Sequence, residues 1–196
     1  MRDSLKWLMD SVALPVRTFE NARAFLDAYE PGQPGCLVLD VRMPGISGLE
    51  LQERILNDGF SLPVIFITGH GDVPMAVRAL KNGAVDFIEK PFSDQALLDR
   101  IQQAIDLHHQ RLSDEVRKSE IVRRINTLSP RERDVMNLVV VGQSNKSIAA
   151  QLGLSPKTVE VHRARVMEKT RAKSLPELVA MGISAGSISD AEAAHH

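Results

Sequence analysis

One cysteine, one tryptophan and one tyrosine stand in these 196 residues, and aromatics make up only 4% of them. A lone Cys36 excludes a disulfide within the chain, and no spacing of a metal site accompanies it. That usage suits a reducing cytoplasm. No apolar run approaches the roughly 20 residues a membrane span needs. The opening Met1-Arg2-Asp3-Ser4-Leu5-Lys6 mixes charges and has no signal-peptide core. No glycine-rich phosphate loop and no nucleophile elbow appears, which leaves a small α/β enzyme as a remote reading. A strong charge of one sign is absent too: 24 Lys+Arg face 25 Asp+Glu, for a net −1. Within that balance residues 1–128 hold 15 cations and 18 anions, and residues 129–182 hold 9 and 5. A mildly basic segment behind an acidic one points toward a polyanion-binding module.

What is present is ordinary globular material, 43% hydrophobic and 25% charged, and long enough for two small cores. The chain is organised around residues 36–48. Cys36 to Leu39 has the length and apolarity of a strand buried on both faces, and it ends on Asp40 before a Pro/Gly-rich turn. Ahead of it, residues 2–14 read as an amphipathic helix stopped by Pro15, Val16–Phe19 as a short strand, and residues 22–29 as a helix capped by Asn21. Behind it come a helix over 47–57, a buried strand over 64–67 ending at Thr68, and a helix over 73–82 with Met75, Ala76, Ala79 and Leu80 on one face. A strand over 86–89 follows, ending at Lys90-Pro91, and then a helix opening near Ser93. Strands alternating with helices predict a parallel sheet covered on both sides.

Three strand ends thus supply Asp40, Thr68 and Lys90. Taken singly they read as a helix cap, a turn hydroxyl and a surface charge. Taken together, at the carboxyl ends of successive parallel strands, they form a chemical set. A carboxylate is a nucleophile toward a phosphoryl group, and a hydroxyl and an ammonium stabilise the charge on its oxygens.

Residues 2–106 resemble a response-regulator receiver domain of the FixJ-like subgroup. The resemblance rests on Leu39-Asp40-Val41-Arg42-Met43-Pro44-Gly45 with Ser47-Gly48, on Phe66-Ile67-Thr68-Gly69-His70-Gly71-Asp72, and on Asp86-Phe87-Ile88-Glu89-Lys90-Pro91-Phe92. It implies that Asp40 accepts a phosphoryl group from a partner histidine kinase, with Thr68 and Lys90 binding that group. It also implies a cis Lys90–Pro91 bond. Phe87 is the switch aromatic by the resemblance and a core residue by pattern alone. Receivers of this family open with an apolar strand ending in an acidic pair that helps hold Mg²⁺; here Met1 already lies in the first helix. Asp40 and the backbone carbonyl of Arg42 are the remaining metal ligands. The expected fold is a flavodoxin-like receiver, truncated at its N-terminus, with four strands, a displaced first strand or strand exchange between chains. A late start codon and a genuine truncation both explain that opening.

From 93 to 129 the sequence lacks Pro and Gly, which predicts one long helix or two with a break near Ser113. His108-His109 reads as a surface pair. Ser129-Pro130-Arg131-Glu132 is a compact helix start, with Ser as N-cap, Pro at N1 and Glu at N3. Helices over 130–141, 145–152 and 156–170, with Gly153 in the last turn between them, form either a plain bundle or a helix-turn-helix.

Leu128-Ser129-Pro130-Arg131-Glu132, Asn145-Lys146-Ser147-Ile148-Ala149 and residues 154–162 resemble a LuxR-type DNA-binding domain over 126–183. The resemblance implies a recognition helix over 157–165. Glu160, Val161 and Ala164 would face base edges, and Lys146, Lys157, Thr158, Arg163, Arg165 and Lys169 backbone or bases. Glu160 would accept from a cytosine amine, or pair with Arg163 or Arg165. The last helix, from Leu175, would be a dimer face. The expected division is a receiver over 1–106, a helical linker over 107–125, an all-α four-helix DNA-binding domain over 126–183 and a disordered tail over 184–196. The sequence therefore predicts a cytoplasmic DNA-binding regulator controlled at Asp40, acting as a homodimer on a two-fold operator in double-stranded DNA. A regulator that works without phosphorylation is the alternative.

Overall fold

The computed structural model describes residues 2–69 and 73–186. The reading of the tail as disordered falls, from residue 187 on, outside them. The chain divides into two compact units, residues 1–113 and 114–196.

In the first unit, α1 (Arg2–Ser11) and α2 (Ala22–Ala28) precede β1 (Leu37–Asp40), α3 (Gly48–Asn57), β2 (Val64–Thr68), α4 (Val73–Lys81) and β3 (Asp86–Glu89). The strands form a parallel sheet in the order β1-β2-β3, with Leu37 opposite Val64 and Ile65 opposite Asp86. Alternation along the strands splits the core into two layers. Leu37, Leu39, Val64 and Phe66 face α2 and α3 with Phe25, Leu51 and Ile55. Val38, Ile65, Ile67 and Ile88 face α1 and the next helix with Met9, Leu97 and Ile101. β2 is buried along its whole length, as its unbroken apolar run requires.

Residues 16–19 are not a strand, contrary to the pattern Val16-Arg17-Thr18-Phe19. A strand exists by hydrogen bonding to a neighbour, and among the described residues none pairs with this segment. Among the described residues the sheet accordingly has three strands, and β1 forms one of its edges. Of the face formed by Met75, Ala76, Ala79 and Leu80 on α4, Ala79 alone is fully buried, and Leu80 is 48% exposed.

The helix α5 (Asp94–Ile125) runs unbroken for 32 residues, through Ser113. His108, read as surface, is 1% exposed. Its Nδ1 lies 3.1 Å from the Gly35 nitrogen and 3.0 Å from the Gly35 oxygen, so either tautomer finds a partner. Its place follows from helical spacing, since Leu97, Ile101, Ala104 and His108 make one buried stripe.

In the second unit, α6 (Pro130–Val140), α7 (Asn145–Leu152), α8 (Pro156–Thr170) and α9 (Leu175–Ser184) enclose Val135, Met136, Ile148, Val159, Val166 and Leu178. Each begins on a serine whose side chain accepts from the backbone N–H three residues on: Ser129, Ser144, Ser155 and Ser174. Gly153 closes α7 at φ 67°, a left-handed conformation suited to glycine. That tight closure turns the chain directly into Ser155 and α8.

Candidate functional site

The carboxyl ends of the three strands gather the predicted acid, hydroxyl and ammonium. Asp40 ends β1, Thr68 ends β2, and Lys90 follows β3 with its backbone N–H donating to the Thr68 carbonyl at 2.8 Å. Lys90 Nζ stands 3.5 Å from Asp40 Oδ2, and both side chains are about a third exposed. The other carboxylate oxygen, Oδ1, accepts the Arg42 backbone N–H at 3.0 Å. One oxygen is thus anchored by its own loop, and the other faces the ammonium. Thr68 is 1% exposed and Phe87 half-buried, its ring 6.1 Å from that of Phe66 in the adjoining strand. The Lys90–Pro91 bond is cis. His70, Gly71 and Asp72, part of the quoted motif, lie outside the described residues.

Gly48 fixes how closely the next helix approaches Asp40. A Cβ there would collide with the Asp40 carbonyl oxygen and press on the Phe66 ring. The Gly48 N–H donates to the Val41 carbonyl at 3.0 Å, and Ser47 and Glu50 form a capping box that starts α3 at this point. Gly48 looked like turn punctuation in the sequence. The need for it is a close approach of backbone to backbone, visible only once strand and helix are placed.

The donor set does not fit a magnesium site of the kind the receiver resemblance implies. Mg²⁺ takes near-octahedral oxygen coordination. Among the described residues no three His, Cys, Asp or Glu side chains come together to hold a metal. Asp40 is the only carboxylate among the three strand-end groups Asp40, Thr68 and Lys90.

In the second unit, α8 divides cleanly. Val159 and Val166 are buried, while Lys157, Glu160, Val161, Ala164 and Arg165 form an exposed stripe at three- and four-residue spacing. Lys146 is exposed on α7. Thr158 is half-buried, and its backbone N–H is held by Ser155 Oγ. Arg163 turns from the stripe to donate to Asn145 Oδ1 at 2.7 Å, which ties α8 to the start of α7. No ion pair joins Glu160 to Arg163 or Arg165 among the described residues.

Lys169 has a different occupation from the others. Its ammonium sits 2.6 Å from Glu132 Oε2 and 3.5 Å from the Thr127 carbonyl oxygen. Glu132, 3% exposed, also accepts the Ser129 N–H at 2.8 Å. The Lys169 ammonium, and then the Ser129 N–H, hold its carboxyl far down, at a pKa of about 2. Capping logic found Glu132. Nothing in the local pattern showed that it would bind a lysine 37 residues on.

Comparison with known proteins bears on both units. Residues 1–102 match the response regulator receiver domain family, and residues 126–182 match the bacterial regulatory proteins of the luxR family. Transcriptional regulatory protein FixJ of Bradyrhizobium diazoefficiens is 48% identical over 190 residues, covering 97% of this chain and 93% of that protein. The solved structure of the response regulator StyR aligns with a TM-score of 0.82 at 44% identity, over 92% of this chain and 91% of that one. Full-length FixJ from B. japonicum aligns at a TM-score of 0.55 and 46% identity, over 96% and 93%. With a parallel-sheet receiver, a helical unit that offers a cationic stripe, and relatives matching along nearly their whole length, the chain belongs to the FixJ-like two-component response regulators, transcription regulators that join a receiver to a LuxR-type DNA-binding domain.

Proposed function

We propose that Asp40 is the phosphoacceptor of this regulator and that its state controls DNA binding by the second unit. The observation that carries the reading is the pairing of Asp40 with Lys90 at 3.5 Å, where the strand ends converge. In the proposed step an Asp40 carboxylate oxygen attacks the phosphorus of a phosphohistidine on a partner kinase. The P–N bond breaks as a P–O bond forms, and the histidine, already protonated on its other ring nitrogen, leaves as neutral imidazole. Lys90 and Thr68 bind the transferred oxygens, and Phe87 follows Thr68. No step is assigned to Mg²⁺, which receivers generally use and which the donor set described above does not fit.

DNA contact is assigned to the exposed stripe and its flanks: Lys146, Lys157, Thr158, Glu160, Val161, Arg163, Ala164 and Arg165. Lys169 is assigned to holding Glu132 rather than to a phosphate. The acting form is a homodimer on a two-fold operator. The division proposed is receiver 1–106, linker 107–125, DNA-binding domain 126–183 and tail 184–196. The relatives named as transcriptional regulators support a role without turnover of a small molecule. A cytoplasmic site of action is proposed from the DNA-binding family of the second unit, whose target is DNA.

The three-stranded sheet favours a second reading, DNA binding independent of phosphorylation. Intact mass after incubation with a small phosphoryl donor and Mg²⁺ separates the two. The first reading expects a gain of one phosphoryl group, lost in Asp40→Asn. No gain, with unchanged operator binding by Asp40→Asn, selects the second.

A further inference from the structure

The first turns of the helices in the second unit differ in charge. α6 and α9 carry a carboxylate there, Glu132 and Glu177, as the positive end of a helix favours. α7 and α8, the helices that hold Lys146, Lys157 and Arg165, carry none. The first residue of α7, directly after its cap Ser144, is Asn145.

Asn145 meets a cation. Its Oδ1 accepts from Arg163 Nη1 at 2.7 Å, 18 residues on, and both residues are half-buried. The ion pairs of the second unit, among the described residues, join Glu120 to Arg123 and Arg124, Arg131 to Asp134, and Glu132 to Lys169. None includes Arg163. Two local rules therefore favour Asp over Asn at 145. A carboxylate would complement the start of α7, and it would turn the bond to Arg163 into an ion pair. Asp has the shape of Asn and differs from it in charge. The neutral amide forgoes both gains. What it preserves is the positive charge of Arg163, held in one direction.

We propose that Asn145 is a positioning residue for DNA binding, which aims the Arg163 guanidinium by a neutral hydrogen bond and leaves its charge to a DNA phosphate. The inference rests on the assignment of Arg163 to DNA contact, and it gives Asn145 a role that the assignment lacks. A free arginine loses rotamer freedom when a phosphate captures it, which weakens binding about two- to tenfold. Arg163 is already held before DNA arrives. One end of its fork is bonded to Asn145, and the guanidinium has further N–H groups for a phosphate. An aspartate at 145 would hold the fork equally well and cancel its charge, so the residue that best stabilises this corner is the one that spoils it for DNA.

The test uses the full chain and a fluorescein-labelled, mixed-sequence DNA duplex of about 30 base pairs, titrated by anisotropy over a range of salt. Asn145→Ala frees the cation and keeps its charge. Its affinity should fall at least twofold, with the slope of log K against log salt unchanged. Asn145→Asp keeps the shape and cancels the charge. Its slope should fall by about 0.9, which at about 0.1 M salt is about eightfold in affinity, while the helical unit melts no lower than in the parent. A residue that acts only on the fold would lose stability and binding together. Arg163→Met should lower the slope by the same amount. An unchanged slope and affinity in Arg163→Met removes the assigned contact, and the proposal falls with it. A lowered slope in Arg163→Met beside full affinity in Asn145→Ala overturns the proposal alone and leaves the contact standing. So does an Asn145→Asp chain that keeps the parent slope.

Discussion

Replacing Glu132 by Gln isolates one device in the DNA-binding unit. The carboxylate ties the start of α6 to the last turn of α8 through Lys169, and it accepts the Ser129 N–H as well. It ionises more readily folded than unfolded, with a pKa of about 2 against an ordinary 4.5. Its contribution is therefore complete above pH 4.5 and is lost as pH falls toward 2. The full shift corresponds to about 3 kcal/mol; the Lys169 side chain is 38% exposed, so screening brings the expected value to about 2 kcal/mol. The chain's one tryptophan, Trp7, lies in the other unit. Amide hydrogen exchange along α8 is thus the better assay, read as opening free energy after correction for intrinsic rates. At pH 6 the Glu132→Gln chain should open α8 about 30-fold more often than the parent. The two should converge as pH is lowered to about 2, where the parent carboxyl is itself half protonated. In a cycle with Lys169→Met, the coupling should account for most of the loss. A gap under threefold at pH 6, or a gap that persists undiminished at pH 2, refutes the reasoning.

Two more expectations follow from the sites. Gly48→Ala drives a methyl into the Asp40 carbonyl oxygen, which should cost about 1–3 kcal/mol by overpacking; calorimetry should show the receiver transition falling while that of the helical unit stays in place. Lys157→Ala and Arg165→Ala each remove one exposed cation of the α8 stripe and should each reduce the slope of log K against log salt by about 0.9 in operator binding, whereas Lys169→Ala should leave the slope nearly unchanged.

The legible parts of the sequence were those where local pattern and global fold agree. The unbroken apolar run Val64–Ile67 gave a central strand because burial on both faces needs nothing but apolar side chains. The serine caps placed α6 to α9 because each cap is satisfied within three residues. Asp40 and Lys90 emerged together because strand ends of a parallel sheet share one side. What stayed hidden depends on neighbours distant in the chain. Residues 16–19 have a strand's composition without a strand's partner. His108 hides a polar ring in an apolar stripe because the Gly35 backbone is there to meet it. Lys169 resembles its exposed neighbours in charge and differs only in what stands opposite, a buried carboxylate from another helix.

The register of the sheet also has a consequence in time. Leu37 meets Val64, and Ile65 meets Asp86, each more than twenty residues further along the chain. Every rung of that ladder requires a long loop to close before any pairing rewards it, whereas each of the helices α6 to α9 forms from local hydrogen bonds before α6 packs on α8. The parallel sheet is therefore expected to be the slower of the two units to fold. On dilution from denaturant the DNA-reading module should thus be complete before the sheet, whereas on the ribosome, at about 5–20 residues per second, the receiver has seconds to fold before the second unit is made, so refolding and synthesis order the two units oppositely.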